Sequence, residues 1–372
     1  MMNRTNFFDF DLGMKFELLS YLPITIFHYN CSQKKMVIQN SYVGYSKMRL
    51  IILVCAILLT QNLVFSQGQQ EDRERERIAN SKVSKTIQWT HKYSQGKLNE
   101  KGYLTTESKY DEKGNVIEVI NYKSSGQISS KLLYKYDKDN NKIEYQKFEK
   151  KDKPTLEMTY KQSFIYDDKG NKKIENGFDG IAPYKIMYSY LSDGKVQNIT
   201  KLGADNSVIE KWESTYSGNT QTIKILKLGK NLDYILIRKT DANGNTIEET
   251  RKDSKGNEVK RTTSEYDRKN QLIANAEYYS GKLSKKFKYK YNAQNQIVEI
   301  IQVNPDGTEF LNRAFKYDSK GILLEEKWFD GIPNDLSSKN FKYNDRSIPA
   351  EVESYYSDYK YKVLYKYTYE YF

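Results

Sequence analysis

A tyrosine–aspartate pair returns along this chain at a nearly fixed interval. It first stands in Tyr110-Asp111-Glu112-Lys113-Gly114-Asn115. It comes back as Tyr136-Asp137, Tyr166-Asp167, Tyr190, Tyr216, Tyr266-Asp267, Tyr291-Asn292, Tyr317-Asp318 and Tyr343-Asn344. The gaps between these tyrosines are 26, 30, 24, 26, 50, 25, 26 and 26 residues. The 50 is two periods, with Thr240-Asp241-Ala242-Asn243-Gly244-Asn245 at its midpoint. A period of about 20–50 residues marks an array of one supersecondary unit.

Each unit carries a second turn signal half a period away: Ser94-Gln95-Gly96, Ser124-Ser125-Gly126, Asp179-Gly180, Ser280-Gly281, Asp306-Gly307 and Asp330-Gly331. Such pairs supply the positive φ of tight hairpins. Between turns the chain alternates. Leu132, Tyr134 and Tyr136 share one face, as do Phe287, Tyr289 and Tyr291, with Lys288 and Lys290 opposite. In the strand after the first Tyr-Asp turn the alternation groups Val116, Glu118, Ile120 and Tyr122. This pattern predicts an all-β antiparallel meander of some twenty strands. Twisted open sheets rarely exceed about ten strands without curling. The expected form is one long sheet, curled or coiled, with aromatic side chains inward and the tyrosine-rich strand ending at Tyr371 as its cap.

Composition fits a thin sheet better than a thick core. Apolar residues are 38% of 372, and there are 33 Tyr against 3 Trp. Net charge is +12. Lys and Glu are interleaved after residue 66, which reads as a solvated sheet face. The densest cluster is Lys282, Lys285, Lys286, Lys288 and Lys290; it alternates with aromatics, so no nucleic-acid partner is expected. An outer-membrane barrel is set aside because a lipid-facing surface tolerates few such charges.

Residues 1–47 show no repeat and are taken as an extension upstream of a start at Met48. Lys47 and Arg49 precede the apolar run Leu50–Leu59, and Val64-Phe65-Ser66 ends it. Residues 48–66 therefore read as a secretory signal peptide. A run this short does not span a bilayer comfortably, so no membrane span is expected in the mature chain. Cleavage after Ser66 removes both cysteines, Cys31 and Cys55, and leaves no disulfide to form. Residues 67–84, with Glu71-Asp72-Arg73-Glu74-Arg75-Glu76-Arg77, read as a polar linker, and 85–372 as the repeat domain.

The unit Tyr110-Asp111-x-x-Gly114-Asn115-x-Ile117, matched by Tyr166-Asp167-x-x-Gly170-Asn171, resembles the YD-repeat or RHS-repeat family of bacterial secreted and cell-envelope proteins. The resemblance covers about 85–372. It implies a coiled antiparallel sheet and a link to carbohydrate or cell-surface binding. The chain departs from that family in having no long toxin region after the repeats and no Asp-Pro-x-Gly motif. A weaker likeness is to MORN-like repeats.

Enzyme chemistry finds little footing. After residue 66 one histidine remains, His91, with no cysteine nucleophile and no cluster for zinc. Asp167-Asp168 and Glu248-Glu249 are the carboxylate pairs that a glycan hydrolase would need, and they recur with the turns. Asp241-Ala242-Asn243-Gly244-Asn245 lacks the spacing of a calcium loop and reads as a hairpin. No catalytic residue, metal or cofactor is assigned. Trp89, Trp212 and Trp328 are the candidates for a sugar-stacking platform. Tyr110, Asp111, Gly114, Tyr136, Asp137, Tyr166, Asp167, Gly170, Tyr266, Asp267, Tyr317, Asp318 and Gly321 are assigned to the turns.

The reading is an exported, non-enzymatic repeat protein, secreted or held at the cell envelope. It would offer a surface to polysaccharide or to a surface protein. A carboxylate-pair hydrolase and a toxin-related or immunity protein are the alternatives. N-terminal sequencing of the exported protein is expected to start at Gln67; a start upstream of Met48 refutes both the start site and the signal peptide.

Overall fold

The computed structural model describes residues 73–150, 154–332 and 334–372. The extension, the signal peptide and residues 67–72 lie outside the described residues. Contacts divide the chain at Arg73/Glu74, and the second unit, Glu74–Phe372, holds the whole sheet.

The strands in order are β1 (Val83–Ser94), β2 (Lys97–Leu98), β3 (Tyr103–Tyr110), β4 (Val116–Tyr122), β5 (Ile128–Tyr136), β6 (Lys142–Glu149), β7 (Glu157–Tyr166) and β8 (Lys172–Phe178). Then come β9 (Pro183–Tyr190), β10 (Val196–Leu202), β11 (Val208–Ser217), β12 (Thr220–Lys227), β13 (Asn231–Thr240), β14 (Thr246–Asp253), β15 (Glu258–Tyr266) and β16 (Leu272–Tyr279). The last are β17 (Lys282–Tyr291), β18 (Ile297–Val303), β19 (Glu309–Tyr317), β20 (Leu323–Trp328), β21 (Ser337–Tyr343), β22 (Pro349–Tyr356) and β23 (Tyr361–Tyr371). All pairings are antiparallel between chain neighbours, except that the short β2 hangs on β1, and β1 pairs with both β3 and β23.

That last pairing corrects the expected open coil. Nine positions from Val83↔Tyr371 to Lys92↔Val363 join the first strand to the last. The sheet is a closed barrel of 22 strands, the 23 less β2. β23 is therefore no cap; it is half of a seam. Closure removes both sheet edges.

The turns explain why so many strands curl far enough to meet. In the Tyr-Asp turns the backbone N–H of Gly114 donates to Asp111 O and that of Asp111 to Asn115 O, both at 2.9 Å. The register slips at the tyrosine in nearly every such hairpin, as at Lys109/Tyr110, Lys135/Tyr136, Lys239/Thr240 and Lys316/Tyr317. Each slip is a bulge, and bulges add right-handed twist. The bulge also flips parity. Val116 lies opposite Tyr110 while Glu118 lies opposite Lys109, so Val116 shares a face with Val119, not with Glu118. Both valines pack on the buried trio Leu132, Tyr134 and Tyr145.

One device locks repeat to repeat and another fixes each turn. The turn tyrosine donates its hydroxyl to the first carbonyl of the strand beside it, just past the preceding turn. Tyr166 reaches Lys142 O at 2.9 Å, Tyr216 reaches Val196 O at 2.8 Å and Tyr317 reaches Ile297 O at 3.0 Å. Tyr343 and Tyr369 do the same to Leu323 and Pro349. Where threonine replaces tyrosine, Thr240 Oγ1 donates to Asn219 O at 3.3 Å. Each such bond contributes about 1 kcal/mol net. The aspartate fixes the turn itself: Asp137 Oδ1 accepts from the N–H groups of Asp139 and Asn141, and Oδ2 from Asn141 Nδ2.

One face of the sheet is more buried than the other. It carries Leu132, Tyr134, Tyr145, Phe164, Ile223, Ile225, Tyr234, Leu236, Ile300, Val352 and Val363. We take it as the inner face. The outer face is laced with ion pairs, such as Lys109–Glu118–Lys131 and Lys135–Glu144–Lys161, at 2.7–3.1 Å. Lys286, Lys288 and Lys290 belong there, paired with Glu265, Glu309 and Glu299.

Part of the segment expected to be a linker is structured. Residues 73–80 are helical, and β1 begins at Val83. Ile78, Val83 and Ile348 form a buried cluster with Tyr110 and Tyr369 around it. Arg346 Nη1 donates to Ser81 O at 2.9 Å. The helix thus closes on the barrel end that bears the Tyr-Asp turns. A single buried apolar side chain amid alternating charge was the only signal for it.

Gly114 and Gly244 separate turn strain from helix docking. Both have positive φ, +79 and +85. A Cβ on Gly114 would stand 2.2 Å from Arg75 O, whereas one on Gly244 meets nothing within 4 Å. Gly244→Ala is expected to cost about 1–2 kcal/mol in urea denaturation, the left-handed penalty alone. Gly114→Ala is expected to cost more and also to expose the bonds after Arg75 and Arg77 to trypsin. Equal losses with unchanged proteolysis would show that the helix is not seated there.

Candidate functional site

The three tryptophans do not form one platform. Trp89, on β1, faces outward and is 38% exposed. Trp212, on β11, faces inward opposite Ile199 and Ile225, and its Nε1 donates to Glu210. Trp328, at the end of β20, also faces inward, and it alone gathers other aromatics.

Its neighbours come from strands far apart in sequence. Trp328 meets Tyr356 edge-on at 6.0 Å between ring centroids, and Tyr356 stacks on Tyr361 at 6.3 Å. Lys339 Nζ lies 5.6 Å from the Trp328 ring. Past the seam, Lys92 Nζ lies 5.5 Å from the Tyr103 ring. Burial first, then Tyr103 and Tyr356 beside it, push the Tyr361 phenol above its ordinary pKa. The six neighbouring strands β20, β21, β22, β23, β1 and β3 therefore each contribute one side chain: Trp328, Lys339, Tyr356, Tyr361, Lys92 and Tyr103. At about 4.8 Å per strand the strip is about 24 Å wide. It lies at the barrel end opposite the helix.

Small residues make room for it. Ser337 and Ser354, under Trp328 and Lys339 in the ladder, are fully buried. Ser337 Oγ accepts from the N–H of Ser357 at 2.9 Å. Aromatic faces with cations between them suit a ligand that has flat apolar faces and hydroxyl or charged edges.

A second inner cluster lies around the barrel on β7–β10. Glu175, 6% exposed, accepts from Gln162 Nε2 at 2.9 Å and from the Tyr184 hydroxyl at 3.2 Å. Tyr184 lies over Gly177, where a Cβ would stand 2.0 Å from its ring. Burial, then Glu175, pushes its phenol up to about 12. Burial, with Tyr184 next, raises Tyr160 as well.

The carboxylate pairs expected for hydrolysis are not brought together. Asp167 is occupied by the N–H groups of Lys169 and Asn171. Glu248 and Glu249 point to opposite faces, paired with Lys239 and Arg238 at 2.8 Å each. His91 is buried on the outer face, with Nδ1 3.2 Å from Asn99 O and its ring against Gly102. Among the described residues no group of three or more His, Cys, Asp or Glu is placed to hold a metal ion. No helix there is long and apolar enough to cross a membrane, which says nothing of strands.

No protein-family profile matches the chain, and no curated protein is similar to it. Among solved structures it is similar to a porin-like protein from Bacteroides uniformis ATCC 8492, with TM-score 0.29, 11% identity, 77% of this chain and 98% of that one covered. A porin-like protein from Bacteroides vulgatus ATCC 8482 gives TM-score 0.23 at 11% identity, with the same 77% and 98% covered. A chain of the TcdB2-TccC3-TEV structure gives 0.21 at 11%, with 70% of this chain and 19% of that one covered. Scores this low carry no argument, and the barrel assignment rests on the seam itself.

The inner tyrosines set an alkaline limit. Burial holds Tyr190, Tyr291 and Tyr367 up to about 12. Phenols raised in the folded state from 10 keep their full stabilising effect below pH 10 and lose it as pH rises through 12. Tyrosinate absorbance is therefore expected to rise late and in one step with loss of the strand circular dichroism signal between pH 10 and 12. Independent titration centred on pH 10 would show that the rings are not buried.

Proposed function

We propose that this chain is an exported, non-enzymatic repeat barrel that binds polysaccharide at the cell envelope. The inner strip Trp328–Lys339–Tyr356–Tyr361–Lys92–Tyr103 would be its platform. The strip is the observation that carries this reading. It sets four partly accessible rings with two lysines between them across six strands, at the barrel end opposite the helix. Sugar rings stack on such faces while their hydroxyls meet the polar edges.

Two further observations support the reading. The Tyr-Asp period is like that of YD-repeat proteins, and a closed ring would here stand in place of a coiled shell. The outer wall carries Lys–Glu pairs in mid-strand, which suits water outside it better than lipid. This supports a barrel at the envelope, peripheral or free.

Tryptophan fluorescence of the full chain, titrated with soluble glycans from a binding array, tests this. A saturable change is expected without release of reducing ends. Trp328→Ala is expected to weaken binding at least about tenfold, equivalent to about 1.4 kcal/mol, while Trp89→Ala leaves it unchanged. Equal affinity in both variants removes the strip as the site, and release of reducing ends replaces binding with hydrolysis.

A further inference from the structure

Cations on both faces meet glutamates, and some rest on rings. On the outer face Lys109, Lys131, Lys135, Lys161 and Lys239 each lie within 2.7–3.1 Å of a glutamate. At the inner-face rim opposite the helix four cations rest on rings, while nearer the helix Lys142 and Lys172 lie over Tyr134 and Phe164. Lys201 Nζ is 4.8 Å from the Tyr184 centroid, Arg251 Cζ 4.0 Å from Tyr234, Lys339 Nζ 5.6 Å from Trp328 and Lys92 Nζ 5.5 Å from Tyr103. Among the described residues none of the four joins an ion pair.

Their places along the strands coincide. Even-numbered strands from β4 onward, together with β1, start at the helix end, and the odd ones from β3 onward end there. Lys92, Lys201 and Arg251 come late in β1, β10 and β14; Lys339 comes early in β21. All four therefore ring the same rim, opposite the helix, and none is fully buried. Nearby inner carboxylates are committed elsewhere: Glu277 to Lys260 and Lys285 at 3.7 Å, Glu326 to Arg313 at 2.8 Å, and Glu210 to Trp212. A ring quadrupole steadies a cation without cancelling its charge, so the rim keeps a positive field inside the barrel.

We propose that the rim binds an anionic polysaccharide, one bearing carboxylate or sulfate groups, with Lys92, Lys201, Arg251 and Lys339 meeting the acid groups and the rings the sugar faces. This rests on the polysaccharide reading above and narrows it. Single-stranded nucleic acid could meet the same cations and rings, so it is one of the probes.

The test uses the full chain with four probes of similar length: a polyuronate, a sulfated glycan, neutral dextran and single-stranded DNA. Affinity is read by tryptophan fluorescence or calorimetry at low and raised salt. The polyuronate or the sulfated glycan is expected to bind at least tenfold more tightly than dextran, with affinity falling as salt rises. Which of the two binds better identifies the acid group. Lys201→Gln with Arg251→Gln and Lys339→Gln is expected to lose at least tenfold, while Lys135→Gln with Lys161→Gln on the outer wall loses nothing. Should the triple variant fail to fold, the salt dependence of the unaltered chain still decides. Dextran bound as well as the acidic glycans overturns this inference and leaves the polysaccharide reading standing. No glycan binding at all overturns both, and tighter binding of DNA overturns the choice of glycan.

Discussion

The barrel depends on one small bond made many times. A tyrosine hydroxyl reaches the carbonyl just past the turn before it, and so ties the end of one hairpin to the start of the last. A slip of one residue anywhere would turn the Tyr face outward and the Lys–Glu face inward. The hydroxyl forbids that, because only in register does it find its acceptor. Thr240, standing in place of a tyrosine, reaches only Asn219, the carbonyl just before β12.

From this pin the rest follows by addition. Register fixed at every repeat lets the bulges beside the turns add their twist in one direction. Small equal twists over 22 strands bring β1 to β23. The same two-faced pattern that makes a stable ladder also divides the barrel chemically. Outside, charges neutralise one another in water. Inside, some cations pair with glutamates while others rest on rings with their charge uncancelled.

Much of this was legible in the residues. The period, the antiparallel order, the turn positions and the inward aromatics all follow from local spacing. Where glycine is missing from the turn, Asn140, Asn270 and Asn295 take positive φ in its place, as asparagine tolerates best. Closure was not legible, because it is a sum over every bulge and no single residue signals it. The bulge at Ile117 shows the same difficulty on a small scale, since one extra residue moved Val116 to the other face. Of the site, Trp328 could be named from its chemistry alone. Lys92 and Tyr103 could not, since they come beside Tyr361 only through the seam. A clue was present in parity: Lys201 and Lys339 fall in step with the tyrosines of their ladders rather than with the outer lysines.

The seam carries one arithmetic consequence. An antiparallel ring can shut only with an even number of walls, and each repeat brings two. Whole units can therefore be duplicated or deleted with the closing joint between the first and last strands kept as it is, while half a unit would set those strands running the same way. Relatives of this chain should come in girths that step by whole repeats, each step widening or narrowing the space the rim encloses.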